Sequence, residues 1–481
     1  RDDIHQGALP QVAKMLENNV RNAFPSIPLV TELIIKYFYR NYTDAIIDYG
    51  VSQKGGDVDK VLLEGYGLSE GAGIPVNDVL RGAVGPESLQ VVLGERLGGK
   101  TILPSAGVGN SCTDFAVTGS ITKNGNMLIG RNTDYPLNGS FDRYPTVLYY
   151  QPTDGTQKYM AVTSAGLHNA GVVAYNESGL FIGIHTIPTL DVSTQGIPVF
   201  MIGQEVLRNA KTFDEAIALF KTSRSASGWT YTLVSTKERR MAAIEISNKE
   251  VAIRESTGES HVQTNHYMTP EMQDANLDLN VAIVEDSHAR YQRASALIRS
   301  MSGQMGVEHA IQIVSDKWDP VFKEVRGLSN VISTHFTLTS VVVDPGEGRL
   351  FLANGLAPVP HSTFVGLPLL EQFDVDQMGG SYSTYDNSAY HKLFPSISQA
   401  EQKYIEAKVH FESNNDAASA HEVLKEAIKL DPENASYHFT DGIMALKAGN
   451  FADATIAFQS CKKLKYKHFR FLGNYYLGRI Y

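Results

Sequence analysis

From Val30 to Val51, and again from Asp59 to Gly73, apolar residues recur at three- and four-residue intervals, the spacing of amphipathic helices, and residues 1–90 read as mostly helical. At Cys112 the pattern changes. The stretch "CTDFAVTGSITKNGNMLIGRNTDY", starting at Cys112, is two alternating runs joined by Lys123-Asn124-Gly125-Asn126, which predicts a β-hairpin. Further strands are predicted at "TVLYYQ", "KYMAVTS", "GVVAYN" and "GLFIGIHTI". Two helical patterns follow, "PVFMIGQEVLRNA" and "TFDEAIALFKTS", the second opened by Thr212 and Glu215 at capping-box spacing. Strands return at "WTYTLVST", "MAAIEIS" and "EVAIRES". After a helix at "SHARYQRASALIRSM", the runs "FTLTSVVVDP" and "GRLFLANG" predict a second hairpin. Groups of strands alternating with pairs of helices imply stacked layers of sheet and helix, not a regular βαβ repeat.

Residues 371–395 are polar, dotted with aromatics and aperiodic, and read as a linker. Beyond them the chain repeats. Tyr404, Phe411, Ala420, Leu424, Ala427 and Pro432 fit the tetratricopeptide pattern. Gly442, Ala454, Phe458 and Cys461 occupy matching slots one 34-residue period later. Small residues at those slots let paired helices approach closely, and Cys461 is expected to pack between helices.

With 481 residues, 43% hydrophobic and 20% charged, the chain has the composition of a globular protein of two to four domains. No apolar run approaches a membrane span. A net charge of -10 argues against a general nucleic-acid binder. The two cysteines do not imply a disulfide framework, and the redox compartment stays open. The opening "RDDIHQGALP" shows no signal-peptide pattern; the compartment is unknown, with an exported, periplasmic or extracellular mature chain slightly favoured over a cytoplasmic one.

Gly94 to Thr101 matches the phosphate-loop spacing, and "VVVD" ending at Asp344 could pass for a magnesium-binding strand. The match is set aside because Pro104 and two glycines follow where a phosphate-binding helix should begin. His261 and His266 lie near each other, but the histidines show no metal-ligand spacing, and neither metal nor cofactor is expected. Cys112 differs because the hairpin brings Arg131 and Asp134 beside it. A cation there lowers a thiol pKa and raises the thiolate fraction. On these residues alone, a reactive nucleophile and a buried cysteine beside an ion pair remain equally open.

The same stretch resembles the opening of the N-terminal-nucleophile (Ntn) cysteine hydrolases, in which Cys-Thr leads the first strand and Gly-Arg-Asn-x-Asp ends the second. These include choloylglycine hydrolases, acid ceramidase and the acyl-coenzyme A:6-aminopenicillanic acid acyltransferase family. "EGYGLSEGAGIPVNDVL", "YNESGLFIGIH", "GIPVFMIGQEVL", "VQTNH" and "SHARYQRASALI" look like successive blocks of the acyltransferase branch, over about residues 20–360. The resemblance implies a precursor that cuts itself between Ser111 and Cys112, leaving pieces of 111 and 370 residues from the chain of 481. Cys112 would then carry a free α-amino group to serve as base for its own thiol. By the match, Asp134 holds that amino group, Arg131 lies beside the sulfur and Asn265 donates to the oxyanion. His185 stands where relatives carry an oxyanion asparagine. The arginine that relatives bring from the last third has no clear counterpart; Arg326 is a weak candidate.

The expected fold is therefore α+β: a four-layered αββα Ntn-hydrolase sandwich with an all-α, tetratricopeptide-like C-terminal region. Its expected divisions are a helical pro-segment (1–111), the catalytic domain (112–370), the linker (371–395) and the repeats (396–481). The expected activity is hydrolysis of an N-acyl amide through a Cys112 thioester. Acyl transfer to an amine, and a non-enzymatic interaction protein, are the alternatives. A protein partner or self-association through the tail is the other expected contact, and the basic run Lys462, Lys463, Lys465, Lys467 and Arg470 could recruit an acidic one.

Overall fold

The structure is a computed structural model that describes residue 18 and residues 40–53, 57–97, 111–135, 138–139, 141–167, 172–277, 281–369 and 382–480. Helices α1 (Arg40–Gln53), α2 (Asp57–Ala72) and α3 (Val76–Leu97) come first. Strands β1 (Cys112–Gly119), β2 (Gly125–Asp134), β3 (Pro145–Tyr150), β4 (Tyr159–Ser164), β5 (Val173–Asn176) and β6 (Leu180–Thr186) follow. Helices α4 (Val199–Asn209) and α5 (Phe213–Lys221) lead into β7 (Trp229–Ser235), β8 (Arg240–Ile246), β9 (Val251–Glu255) and β10 (Ser260–Gln263). Next come α6 (Pro270–Gln273), α7 (Val281–Ser300), α8 (Val307–Val314) and the short pair β11 (Trp318–Asp319) and β12 (Glu324–Val325). Strands β13 (Thr337–Asp344), β14 (Arg349–Asn354), β15 (Thr363–Pro368) and β16 (Ser383–Asp386) complete the sheets. The tail is helical: α9 (Ala389–Leu393), α10 (Pro395–Glu412), α11 (Ala417–Leu430), α12 (Ala435–Lys447), α13 (Phe451–Lys463) and α14 (Lys467–Ile480).

Two antiparallel seven-stranded sheets, ordered β10-β1-β2-β13-β14-β15-β16 and β3-β4-β5-β6-β7-β8-β9, stack face to face. The alternation read from the sequence decides which residues meet where, because successive strand side chains point to opposite faces. Ala116, Met127, Ile129, Val341 and Val343 of the first sheet pack against Met160, Val162, Val173, Phe181 and Val234 of the second. Their neighbours Phe115, Val117, Leu128 and Val342 point outward, under Ala294 and Ile298 of α7 and Ile311 and Val314 of α8. On the outer face of the second sheet, Ile182, Ile184, Tyr231 and Ile244 meet α4 and α5 together with Ile46, Leu80 and Val84 of the N-terminal helices. The layers are αββα, the four-layered sandwich that the sequence resemblance implies.

The hairpin forms as predicted, with Cys112 paired to Thr133 across β1 and β2. Gly119 and Gly125, both at positive φ, carry the turn. The second predicted hairpin is β13–β14, and the Asp344 carboxylate closes its turn by accepting the Glu347 N–H. Gly94 to Leu97 end helix α3, and the rest of the phosphate-loop match lies outside the described residues. Thr212 caps α5 by accepting the Glu215 N–H, while the Glu215 carboxylate takes the N–H of Lys211, one residue earlier than a capping box requires.

The expected linker departs from expectation. Residues 370–381 lie outside the described residues, but Ser383–Asp386 adds β16 to the edge of the first sheet, pairing with β15. "STYD" lacks apolar alternation because an edge strand with both faces largely in water needs none. In the tail, each helix from α10 to α14 packs on the next. Tyr404, Phe411, Ala420, Leu424, Ala427, Ala454, Phe458 and Cys461 share one buried core. A Cβ on Gly442 would lie 2.5 Å from the Phe458 ring, so that slot needs a glycine for the α12–α13 approach.

Candidate active site

Cys112 is the first residue of β1 and is buried. It helps line a cavity of about 100 Å³ that reaches from the first sheet to helices α3 and α4, shared with Arg131, Thr133 and Tyr135. The remaining walls are mostly apolar: Phe141, Val162, Ile184, Val199, Phe200 and Trp229 are among them. One buried acid, Glu87 of α3, also faces this space. Its carboxylate accepts from the Val199 N–H at 2.9 Å and the Trp229 indole at 3.2 Å, and burial pushes its pKa up to about 8.

Beneath the thiol lies a charged layer. Arg131 donates to Asp114 at 2.5 Å and to the Ile184 carbonyl, and His185 Nε2 lies 3.0 Å from the other Asp114 oxygen. Burial works to raise the Asp114 carboxyl, but Arg131 and His185 outweigh it and hold the group below its ordinary value. Burial lowers the His185 pKa against the pull of Asp114, and its Nε2 faces that carboxylate. Gly183 makes the layer possible: a Cβ there would lie 2.4 Å from an Asp114 oxygen.

Alternation along β2 puts Arg131 and Thr133 toward the cavity and Asn132 and Asp134 toward the helices. Asn132 duly donates to the Val314 and Ile332 carbonyls. Asp134 accepts from Ser111 Oγ at 3.2 Å, and Thr337 lies opposite it in the β2–β13 register. Burial is the largest influence on Asp134 and pushes it up to about 7, against the pull of Thr337, Arg290 and Ser111.

The peptide junction at Cys112 is clamped from the far side. Its N–H donates to Asn265 Oδ1 at 2.6 Å, and its carbonyl accepts from Arg290 Nη1 at 2.6 Å. Arg290 also reaches the Thr113 hydroxyl and Asn265 Oδ1, and it is anchored by Asp286. The Asn265 amide group donates to the Thr186 carbonyl at 2.9 Å.

Of the residues singled out by sequence, Cys112, Ser111, Arg131, Asp134 and Asn265 come together. His185 does not line the cavity; it is held against Asp114, so its placement gives no support to an oxyanion role. Asn265 meets the Ser111–Cys112 junction through its oxygen, with its amide nitrogen turned to Thr186. Arg326 is remote, paired with Asp319 at 2.7 Å and stacked over Tyr466. The balance at the thiol also differs from expectation. Burial raises the Cys112 pKa, and Arg131 only partly opposes it, with Asp134 and Asp114 adding to the rise.

Three partners were missed. Asp114 had a signal: two residues after Cys112 on a strand, it must share its face. Arg290 had none, since nothing local tells it from Arg293, which pairs with Asp316 on the helix surface. Thr337 is identified by its register opposite Asp134. Among the described residues no group of three or more His, Cys, Asp or Glu could hold a metal ion. No described helix is long and apolar enough to cross a membrane.

Residues 120–355 match the family profile described as acyl-coenzyme A:6-aminopenicillanic acid acyl-transferase. This central region is similar to that family. A comparison with curated protein sequences returned no match. Among solved structures, a Caenorhabditis elegans N-acylethanolamine-hydrolyzing acid amidase ortholog is similar at 16% identity, over 49% of this chain and 93% of that one, with a TM-score of 0.35. Two variants of the conjugated bile acid hydrolase from Clostridium perfringens are similar at 13% and 14% identity, each over 57% of this chain. They are covered over 97% and 96% of their own lengths, with TM-scores of 0.40 and 0.39.

Proposed function

We propose that the protein is a self-processing Ntn cysteine amidohydrolase that cleaves a linear amide between an acyl group and an amine. The observation that carries this reading is the set of contacts that fix the backbone of Cys112 on both sides. A thiol at the head of a strand has its own N–H held by Asn265 and its carbonyl by Arg290, and it opens on an otherwise largely apolar cavity.

In processing, Cys112 Sγ adds to the Ser111 carbonyl carbon and its proton passes to the departing nitrogen. The C–N bond breaks, leaving a thioester on Ser111 and a free α-amino group on Cys112. Water then hydrolyses the thioester, releasing the Ser111 carboxylate and the thiol. Asp134, already bonded to Ser111, is placed to hold the new ammonium group. In turnover this α-amino group, of a kind that in model peptides titrates at about 7.7–8.0, takes the thiol proton. The thiolate attacks the substrate carbonyl, the amine leaves, and water releases the acid. The quiet, raised thiol of the intact chain fits a precursor whose base does not yet exist.

The apolar lining supports an apolar acyl group as the part received by the cavity. Acyl transfer to an amine acceptor is the second reading, favoured by the family's description. We read the tail as tetratricopeptide-like, a platform for a protein partner or a second copy.

Denaturing electrophoresis with N-terminal sequencing tests the core of the proposal. Active protein is expected as pieces of 111 and 370 residues from the chain of 481, the larger beginning at Cys112. Cys112→Ala is expected to stay whole and inactive. Activity in an uncut chain, or in that variant, overturns the reading. Product analysis with and without an added amine separates hydrolysis from transfer.

A further inference from the structure

The C-terminal helices are docked on the segment that leads into β13. Glu401 of α10 is fully buried and accepts from Lys317 Nζ at 2.7 Å. Lys317 also donates to the Ser333 carbonyl at 3.3 Å. The Tyr390 hydroxyl reaches the second Glu401 oxygen at 3.3 Å, and His335 Nδ1 lies 3.4 Å from the first. The His335 ring packs against both Tyr404 and Tyr437, and the Tyr437 hydroxyl is 3.0 Å from its Nε2. Tail side chains thus hold His335 from several directions.

Two residues later comes Thr337. A tight turn fixes it: Thr334 N–H donates to the Thr337 hydroxyl oxygen, and Phe336 N–H donates to Thr334 Oγ1. The Phe336 carbonyl accepts from Tyr135 N–H, and Asn138 donates to the His335 carbonyl. Thr337 is the cross-strand partner of Asp134, and its hydroxyl works to hold down the pKa of that carboxylate. The path from Glu401 to Asp134 therefore runs through buried contacts and two residues of backbone.

We propose that Glu401 is a positioning residue for the active site: through Lys317, His335 and the Ser333–Thr337 turn, the tail sets Thr337 against Asp134. The tail is then part of the catalytic apparatus as well as a platform, and a partner that shifts α10 would tune the site. This rests on the reading of Asp134 as the group that holds the Cys112 amine.

The groups facing Asp134 are Thr337, Ser111, Arg290 and Asp286, with Arg131 and Cys112 close by. The Thr337 hydroxyl beside it favours the ionised carboxylate, so displacing Thr337 moves the Asp134 titration to higher pH.

The test uses the full chain. Lys317→Met/Glu401→Leu replaces both buried partners with apolar side chains, which usually leaves stability little changed. Expected results are a near wild-type Tm, self-cleavage slowed roughly tenfold or more, and an acid limb of its pH profile moved upward. Labelling of Cys112 by iodoacetamide across pH reads the same shift without relying on cleavage or a substrate. Failure of the amidase reading and failure of this proposal are thereby distinguished. Glu401→Gln is expected to change in the same direction with a lower Tm. Leu424→Ala, in the tail core away from the network, is the control: it lowers Tm and leaves rate and profile per folded molecule unchanged. Wild-type rate and profile in the double variant, or the same changes in Leu424→Ala, overturn the proposal. Should the double variant not fold, Tyr437→Phe, which removes only the hydroxyl on His335, is read by the same criteria.

Discussion

Cys112 and Cys461 are both free, both buried and both raised in pKa by burial, yet their surroundings differ in kind. Cys461, pushed up to about 12, sits among Ala435, Phe458 and other helix-packing side chains, its sulfur 3.7 Å from the Ala435 carbonyl. Cys112 has a guanidinium on the cavity side, a second guanidinium on its carbonyl, an asparagine on its N–H and empty space in front. Burial alone makes a cysteine inert. What separates a candidate nucleophile from a packing residue is the set of charges and hydrogen bonds that can compensate burial once an amine appears beside it.

The largest test of that contrast is Asp114→Asn. It leaves Arg131 buried without its carboxylate, and a loss of about 3–5 kcal/mol is expected in urea unfolding. A stability near wild type would mean that the charged layer does not hold the Cys112 corner together. Next, Arg290→Met frees the Cys112 carbonyl and Asn265, and cleavage before Cys112 is expected to slow by about 10²-fold, the cost of a small misplacement of reacting groups. Unchanged processing would remove Arg290 from the site.

Glu87 sharpens the comparison through pH. Its folded pKa of about 8 lies above the ordinary 4.5, so the folded chain keeps a proton that the unfolded chain gives up. The associated stability is present below about pH 4.5 and is lost as pH rises toward 8. Relative to Glu87→Gln, the wild type should lose about 2 kcal/mol between pH 5 and pH 7 in urea titrations. Parallel pH dependences would refute the assignment. The smallest effect belongs to Cys461→Ala, where about 1 kcal/mol is expected, with self-cleavage unaltered. A processing defect there would erase the distinction between the two thiols.

Much of the fold was legible because strand alternation and helix spacing are local. The β1–β2 hairpin, with Cys112 opposite Thr133 and so close to Arg131, follows from residues within one short stretch. Asp114 was legible by the same period. Strand β16 was not, since an exposed edge strand carries no apolar signature. Arg290 and Thr337 were not, since they arrive from a helix and a strand far along the chain, and their roles depend on which neighbours they meet.

By itself the sequence determined the order of helices and strands, the face each strand buries and the neighbourhood of Cys112, Arg131 and Asp134. These depend on periodicity and turn chemistry acting over a few residues. Only the tertiary structure decided that the Cys112 thiol is raised, that Asn265 turns its oxygen to the junction, and that His185 faces Asp114 instead of the cavity. Desolvation and charge are sums over every group packed nearby, and those groups come from distant parts of the chain, the tail included.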